Sequence, residues 1–184
     1  ISYLIVRLRV KGSQLIEGII LLPYAIPGTV VALALILAFL KPLPLLKVSI
    51  YNTIWILVVG YVTRFLTLGE RSIKSALEQI HVSLEEAARI SGANYFTAFK
   101  DIVLPLIKTN VFAGWFLAFI PALTELTLSI LLFSVNNETL GTVVYGLHQE
   151  GKVLMTAALA FIVTIIVLGL NFITNRLTKN QMGF

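Results

Sequence analysis

The sequence predicts an all-α, polytopic transmembrane helix bundle, and three observations carry the prediction. Hydrophobic residues make up 58% of the 184 positions, charged residues only 12%, and the mean hydropathy is +0.92; soluble domains carry about 25% charged residues. Four uncharged or nearly uncharged runs approach the roughly 20 residues that cross a bilayer core. Lys and Arg flank those runs, as they do beside membrane helices. A water-soluble fold is excluded. The chain has no Cys, which excludes disulfides, thiolate metal sites and cysteine nucleophiles. His81 and His148 stand too far apart in sequence to form a helical metal-ligand pair.

The elements follow in order. Residues 1–6 are apolar and stop at Arg7, Arg9 and Lys11, which reads as the end of a truncated helix that begins upstream. The first span is expected at 19–40, where Pro23, Pro27 and Gly28 suggest either a discontinuous helix lining a cavity or a packing kink. The second is expected at 48–68. Its uncharged run ends at Thr63, and a snorkelling Arg64 lets 65–68 finish the crossing. The third covers 109–137, interrupted only by Glu125, and the fourth covers 153–175. Placing Arg7, Arg9 and Lys11 in the cytoplasm puts eleven of the 14 Lys and Arg residues there and leaves Lys41, Lys47 and Lys152 outside. The same placement explains the net charge of +5 without nucleic acid.

The only long polar segment, 69–108, falls on the cytoplasmic side. Ile73, Ala76, Leu77, Ile80, Leu84, Ala87 and Ala88 recur at helical spacing, with charges on the other faces. Ser83 and Glu86 have the spacing of a capping box that would start a new helix. Gly92 supplies a stop at positive φ, Asn94 can cap a following helix, and Pro105 should end or kink that helix where it meets the third span. The pattern is helix, tight turn, helix.

Within this segment stand Glu86-Ala87-Ala88, three further residues, Gly92, nine further residues, then Ile102-x-Leu104-Pro105. The arrangement resembles the EAA motif of binding-protein-dependent ABC transporter permeases at every fixed position. Seven such positions coincide by chance on the order of once in 10⁷. The resemblance implies a type I importer permease with a cytoplasmic coupling helix. Glu86, Ala87, Ala88, Gly92, Ile102, Leu104 and Pro105 would carry the coupling to a cytoplasmic ABC ATPase. It further implies a periplasmic or lipoprotein solute-binding protein, a second permease half or copy, and a multi-pass location in the bacterial inner membrane among its lipids. ATP and Mg²⁺ would reside in the partner ATPase, leaving this chain with neither cofactor nor catalytic residues. Glu86 has two open roles, capping its own helix or pairing with a basic residue of the ATPase.

The run from Leu22 to Gly28, the residues Leu123 to Leu126, and the stretch from Glu138 to Ala158 are similar to ferric-iron permeases. Thiamine, polyamine and sulfate permeases share much of this texture. Glu125 is the one ionisable residue well inside a run. A carboxylate at mid-membrane costs roughly 2.5 to 3.5 kcal/mol, so it faces a bundle interior or a water-filled path. Together with Pro121, Pro27 and Gly28 it marks a candidate translocation path; alternatively, Pro121 frees the carbonyl of Leu117 and Glu125 bonds within the resulting gap. A rival reading makes Glu125 the proton relay of an ATP-independent carrier. Gly146-x4-Gly151-Lys152 imitates a phosphate-binding loop but is followed by Val153 where Ser or Thr is needed.

Overall fold

The computed structural model describes residues 1–8, 10–42 and 48–179, with side chains up to Arg176. Arg9, Lys47 and the Lys179 side chain, all used in the charge count, lie outside it. The described residues are helical, in the order α1 (Ser2–Val6), α2 (Ser13–Ala25), α3 (Gly28–Phe39), α4 (Ile54–Gln79), α5 (Ser83–Ile90), α6 (Tyr95–Ala98), α7 (Leu104–Leu123), α8 (Ser129–Leu132), α9 (Leu140–Gln149) and α10 (Val153–Lys179). A π-helical turn, Phe99–Val103, joins α6 to α7.

The first expected span is two helices, α2 and α3, bent by 108°. Pro23 sits inside α2 without breaking it. The break falls at Ile26 and Pro27 instead, where both residues are extended (φ −82°, ψ 142° and φ −54°, ψ 138°). The third span differs from its expected limits at both ends. One helix of 29 residues runs from Tyr95 to Leu123, so the second helix of the polar segment and the membrane helix are continuous. Pro105 neither ends it nor separates its two parts. Widening the preceding turn to π, in which Leu104 N–H donates to Phe99 O, accommodates a residue with no N–H of its own. At the other end helix is lost after Leu123, two residues beyond Pro121.

Tyr95–Leu123 and Val153–Arg176 are long and apolar enough to cross a membrane, and the bent pair counts as a third crossing if it is one span. The helix α4 is 26 residues long but carries Arg64, Glu70 and Arg71 along its length. It absorbs the first helix expected in the polar segment, leaving only a short hairpin beyond Gln79.

Two clusters pack against opposite ends of α4. Toward its start, Ile56 and Leu57 meet Val31 and Ala32 of α3 and Leu128 and Leu132 around α8. Toward its end, Ala76 and Leu77 meet Val103 and Ile107, with Tyr3, Val6 and Phe99 around them. Between the clusters α4 and α7 cross closely at Gly69 and Gly114, where a Cβ on Gly114 would lie 3.1 Å from Gly69 O. Small residues at a membrane helix crossing let the backbones pack at this range. Most apolar side chains of α10 face outward, as lipid-facing residues do.

Candidate functional site

The hairpin after α4 is built by local bonds. Ile80 turns extended and ends α4 (φ −85°, ψ 124°), and α5 begins three residues later, at Ser83. The expected capping box is not formed. Val82, in helical conformation, precedes α5, no side chain caps it, and Ser83 Oγ bonds instead with His81 Nδ1 at 2.8 Å. Because the helix starts at Ser83 itself, Glu86 falls one position too late to reach back. At the other end Gly92 has φ +95°. Its N–H donates to Arg89 O at 3.0 Å, and Ala93 N–H donates to Ala88 O at 3.0 Å. This pair of bonds closes a helix through a left-handed residue. Nothing lies within 4 Å of a Cβ built at Gly92, so the backbone conformation, not space, calls for glycine. Asn94 then caps the next helix, its Oδ1 accepting from Thr97 N–H at 2.8 Å.

Glu86 and Ala87 are exposed, Ala88 is half-buried, and Ile90 is 88% exposed. Ile102 is half-buried and Leu104 and Pro105 are exposed, but these three belong to the long helix and not to the hairpin. Beside them Arg89 stacks over the Tyr95 ring at 4.0 Å. The sequence reading groups Glu85 with the charges on the faces away from the apolar residues, yet it is the only buried residue of α5. Its Oε1 accepts from Arg7 Nε at 2.6 Å and its Oε2 from Tyr3 Oη at 2.6 Å. Arg7 also donates through Nη2 to Ile80 O at 2.7 Å. Helical phase carried from Ile73, Ala76 and Ile80 gives no signal for Glu85, because Ile80 turns extended and the phase restarts in α5.

A second site gathers Pro27, Gly28 and Glu125 at the break between α2 and α3. Arg64 joins them, and does not snorkel to a surface. Its Nη1 donates to Ile26 O at 2.9 Å, the last carbonyl turn of α2, and its Nε lies 3.9 Å from Glu125 Oε1. Only 19% of the Arg64 side chain and 9% of the Glu125 side chain are exposed. Glu125 does not reach back toward Leu117. It accepts forward, from Leu128 N–H at 2.9 Å and Thr127 Oγ1–H at 2.6 Å, and so caps the short turn leading into α8. Gly28 is packed against this group: a Cβ there would overlap Thr127 Oγ1 and come within 2.8 Å of Glu125 Oε1. Pro121 stands four residues before Glu125, in the turn where α7 ends. Charges of opposite sign in two apolar runs, Arg64 and Glu125, were the sequence signal for this pairing.

Further along α4, Lys74 bonds Glu17, which holds its ammonium above the usual lysine range. Burial pushes Glu70 upward, and the nearby Glu17 adds to this.

A bundle of apolar helices, two of them broken around an ion pair, with a stiff polar hairpin at one end, defines a membrane permease and not a soluble enzyme. The chain belongs to the family of binding-protein-dependent transport system inner membrane components, whose profile matches residues 2–181. It is therefore an ABC transporter permease. It is 29% identical over 140 residues to the Fe(3+)-transport system permease protein FbpB 2 of Haemophilus influenzae, which covers 76% of this chain and 27% of that protein. It is 27% identical over 181 residues to the spermidine/putrescine transport system permease protein PotC of Escherichia coli K12, covering 96% of this chain and 66% of that protein. It is 34% identical over 134 residues to a probable ABC transporter permease, y4fN, of Sinorhizobium fredii, covering 71% of this chain and 24% of that protein. The chain thus spans about a quarter of FbpB 2 and y4fN, and about two thirds of PotC.

Proposed function

We propose that this chain forms one half of the translocation path of an ATP-driven importer in the bacterial inner membrane. A separate ATPase docks on the hairpin of α5, and a periplasmic or lipoprotein binding protein delivers the solute. The observation that carries the reading is the hairpin itself. Its two closures, at Gly92 and Asn94, make it stiff, and Glu86 and Ala87 stand outward on it. ATP and Mg²⁺ belong to the partner; closure of the ATPase on nucleotide pushes the hairpin and rocks the helices between two states. A second permease half or copy completes the path.

Four crossings fit this reading: the bent pair α2 and α3, the 54–68 part of α4, the long helix through α7, and α10. The Arg64 and Glu125 ion pair supports α4 as the fourth. A charge inside the bilayer is tolerated where it faces another in the bundle interior. The carrier reading is less well supported, because Glu125 is already engaged by Arg64, Thr127 and the Leu128 amide.

Ferric ion is the first substrate reading, supported by the resemblance to FbpB 2. A polyamine is the second, supported by the alignment with PotC over 96% of the chain. Uptake of radiolabelled iron and of radiolabelled putrescine, measured with and without ATP in vesicles carrying the intact transporter, separates these readings. ATP-dependent uptake of iron alone is expected; uptake driven by a proton gradient without ATP overturns the importer reading. Single cysteines at the exposed positions Ser75 and Asn136 test topology in intact cells. An impermeant maleimide should label position 136 and spare position 75, and the reverse pattern overturns the orientation.

A further inference from the structure

We propose that Glu85 is the joint through which movement of the α5 hairpin reaches the membrane part of the chain. The proposal rests on the reading of that hairpin as the ATPase docking element. Adjacent residues on a helix point about 100° apart, so neighbouring glutamates can face opposite ways. Glu86 faces out and is free to meet a partner. Glu85 faces in and is 7% exposed.

Little else fastens α5 on that side. Of its apolar side chains, Leu84 is 46% and Ile90 88% exposed, so α5 has no hydrophobic face of its own to bury. Its attachment is polar and directional. Arg7 Nε and Tyr3 Oη each hold one oxygen of the Glu85 carboxylate. The same guanidinium holds Ile80 O, where α4 gives way to the hairpin. Tyr3 also meets Phe99 of the π turn edge-on, with ring centroids 5.0 Å apart. One carboxylate therefore gathers α1, the end of α4, α5 and the start of the long helix. The Arg7 and Glu85 side chains are 8% and 9% exposed, so water does not compete for the pair. A push on α5 pulls on α1 and on the end of α4 together, whereas a hydrophobic contact in the same place would slide.

Glu85 is thus a positioning residue, and its loss should uncouple transport from hydrolysis without releasing the ATPase. The test uses the intact transporter, with its ATPase and binding protein, in proteoliposomes. Glu85→Gln should keep the ATPase bound and hydrolysing ATP but move about tenfold less solute per ATP, a loss within the range that coupling free energies cover. The exchange Arg7→Glu with Glu85→Arg should recover most of that loss. A merely structural role would lower hydrolysis and transport together, leaving their ratio unchanged. An unchanged ratio in Glu85→Gln overturns the proposal. If that variant does not accumulate, Arg7→Lys, which keeps the charge but gives up the bond to Ile80 O, is read by the same ratio. Glu86→Lys is measured in parallel and should release the ATPase. Release by Glu86→Lys with a normal ratio in Glu85→Gln refutes the joint alone; normal ATPase binding and uptake in Glu86→Lys refutes the docking reading on which it stands.

Discussion

Two arginine–glutamate pairs hold this chain together, and they do opposite work. At the hairpin, Arg7 and Glu85 meet at 2.6 Å, and the carboxylate spends both oxygens on side chains of another helix. In the middle of the bundle, Arg64 and Glu125 approach only to 3.9 Å, and each group bonds mainly to backbone. Arg64 satisfies a carbonyl left by the end of α2, and Glu125 satisfies amides at the start of α8, the groups that helix termini leave unpaired. The first pair links elements. The second repairs two broken helices and is held near by the repair. An ion pair seen in a membrane protein can therefore be a tie or a pair of caps, and the partners of each atom distinguish the two.

The sharpest way to break the comparison is at Gly28. Its α-carbon packs directly on the mid-bundle pair, and the hairpin pair has no such neighbour. A larger side chain must displace Thr127, Glu125 or the α2–α3 break itself, and overpacking of this kind costs about 1 to 3 kcal/mol or more. Gly28→Leu should reduce the amount of folded permease in the membrane severalfold, with Gly28→Ala intermediate. Quantitative immunoblotting of membranes and thermal melting in detergent measure both.

Glu125 itself gives an effect of comparable size. Glu125→Ala leaves Arg64 without its countercharge and Leu128 N–H without its cap. Removing one partner of a mostly buried pair costs about 3 to 5 kcal/mol; the partial exposure of Arg64 puts the expectation at the lower end. Glu125→Gln retains an acceptor for the Leu128 amide and should cost about half as much. The caps reading requires Gln to melt well above Ala while keeping ATP-dependent uptake. Equal loss in both variants would mean that the charge, and not the caps, matters.

Much of the hairpin was legible in the sequence, because it is made of local bonds. Gly92 and Asn94 act through residues within five positions of themselves, and their types declare their conformations. The fold class followed from apolar content in the same way. Tertiary matters were less legible. Ser83 and Glu86 had the right spacing for a cap, but where α4 ended decided where α5 began. Pro105 would stop an isolated helix, yet a single π turn lets this one continue. Arg64 was expected to look for a surface because its partner, Glu125, lies far away in sequence. Glu85 reads in the sequence as one more outward charge beside Glu86, because a pattern identifies residues by spacing, whereas burial is a matter of which face meets α1.

Gly92 offers a smaller effect at the opposite end of the molecule. A Cβ at Gly92 meets nothing within 4 Å, so the main objection to Gly92→Val is the left-handed backbone, at about 1 to 2 kcal/mol. Under the proposed topology the hairpin lies outside the membrane bundle, so the permease should accumulate normally. Under the proposed coupling role its ATPase should bind more weakly and uptake should fall. Co-purification of the ATPase and solute uptake, measured in one strain, check this; full uptake with normal ATPase binding sinks the role assigned to the hairpin.

The smallest expected effect, and the only stabilising one, is at Glu70, a buried carboxylate with no salt bridge among the described residues. It lies in α4, 6% exposed, with no hydrogen-bond partner for Oε1 among the described residues. Burial, reinforced by Glu17 and opposed by Lys74, raises its pKa above the ordinary carboxylate value. A carboxyl group whose pKa is higher in the folded state than in the unfolded state favours folding when protonated. That contribution is fully present below the ordinary carboxylate pKa and is lost as pH rises through the raised one. The parent protein should therefore lose melting temperature in detergent as pH rises above the ordinary carboxylate pKa. Glu70→Gln mimics the protonated form, so it should flatten that slope and gain on the order of 1 kcal/mol at the alkaline end, the scale of one unsatisfied buried group. Neither ion pair predicts this sign, since Glu85→Gln and Glu125→Gln each remove a charge that already has its partner. A Glu70→Gln variant that melts lower than the parent in alkaline solution would show that the charged carboxylate is held by a partner, as Glu85 and Glu125 are.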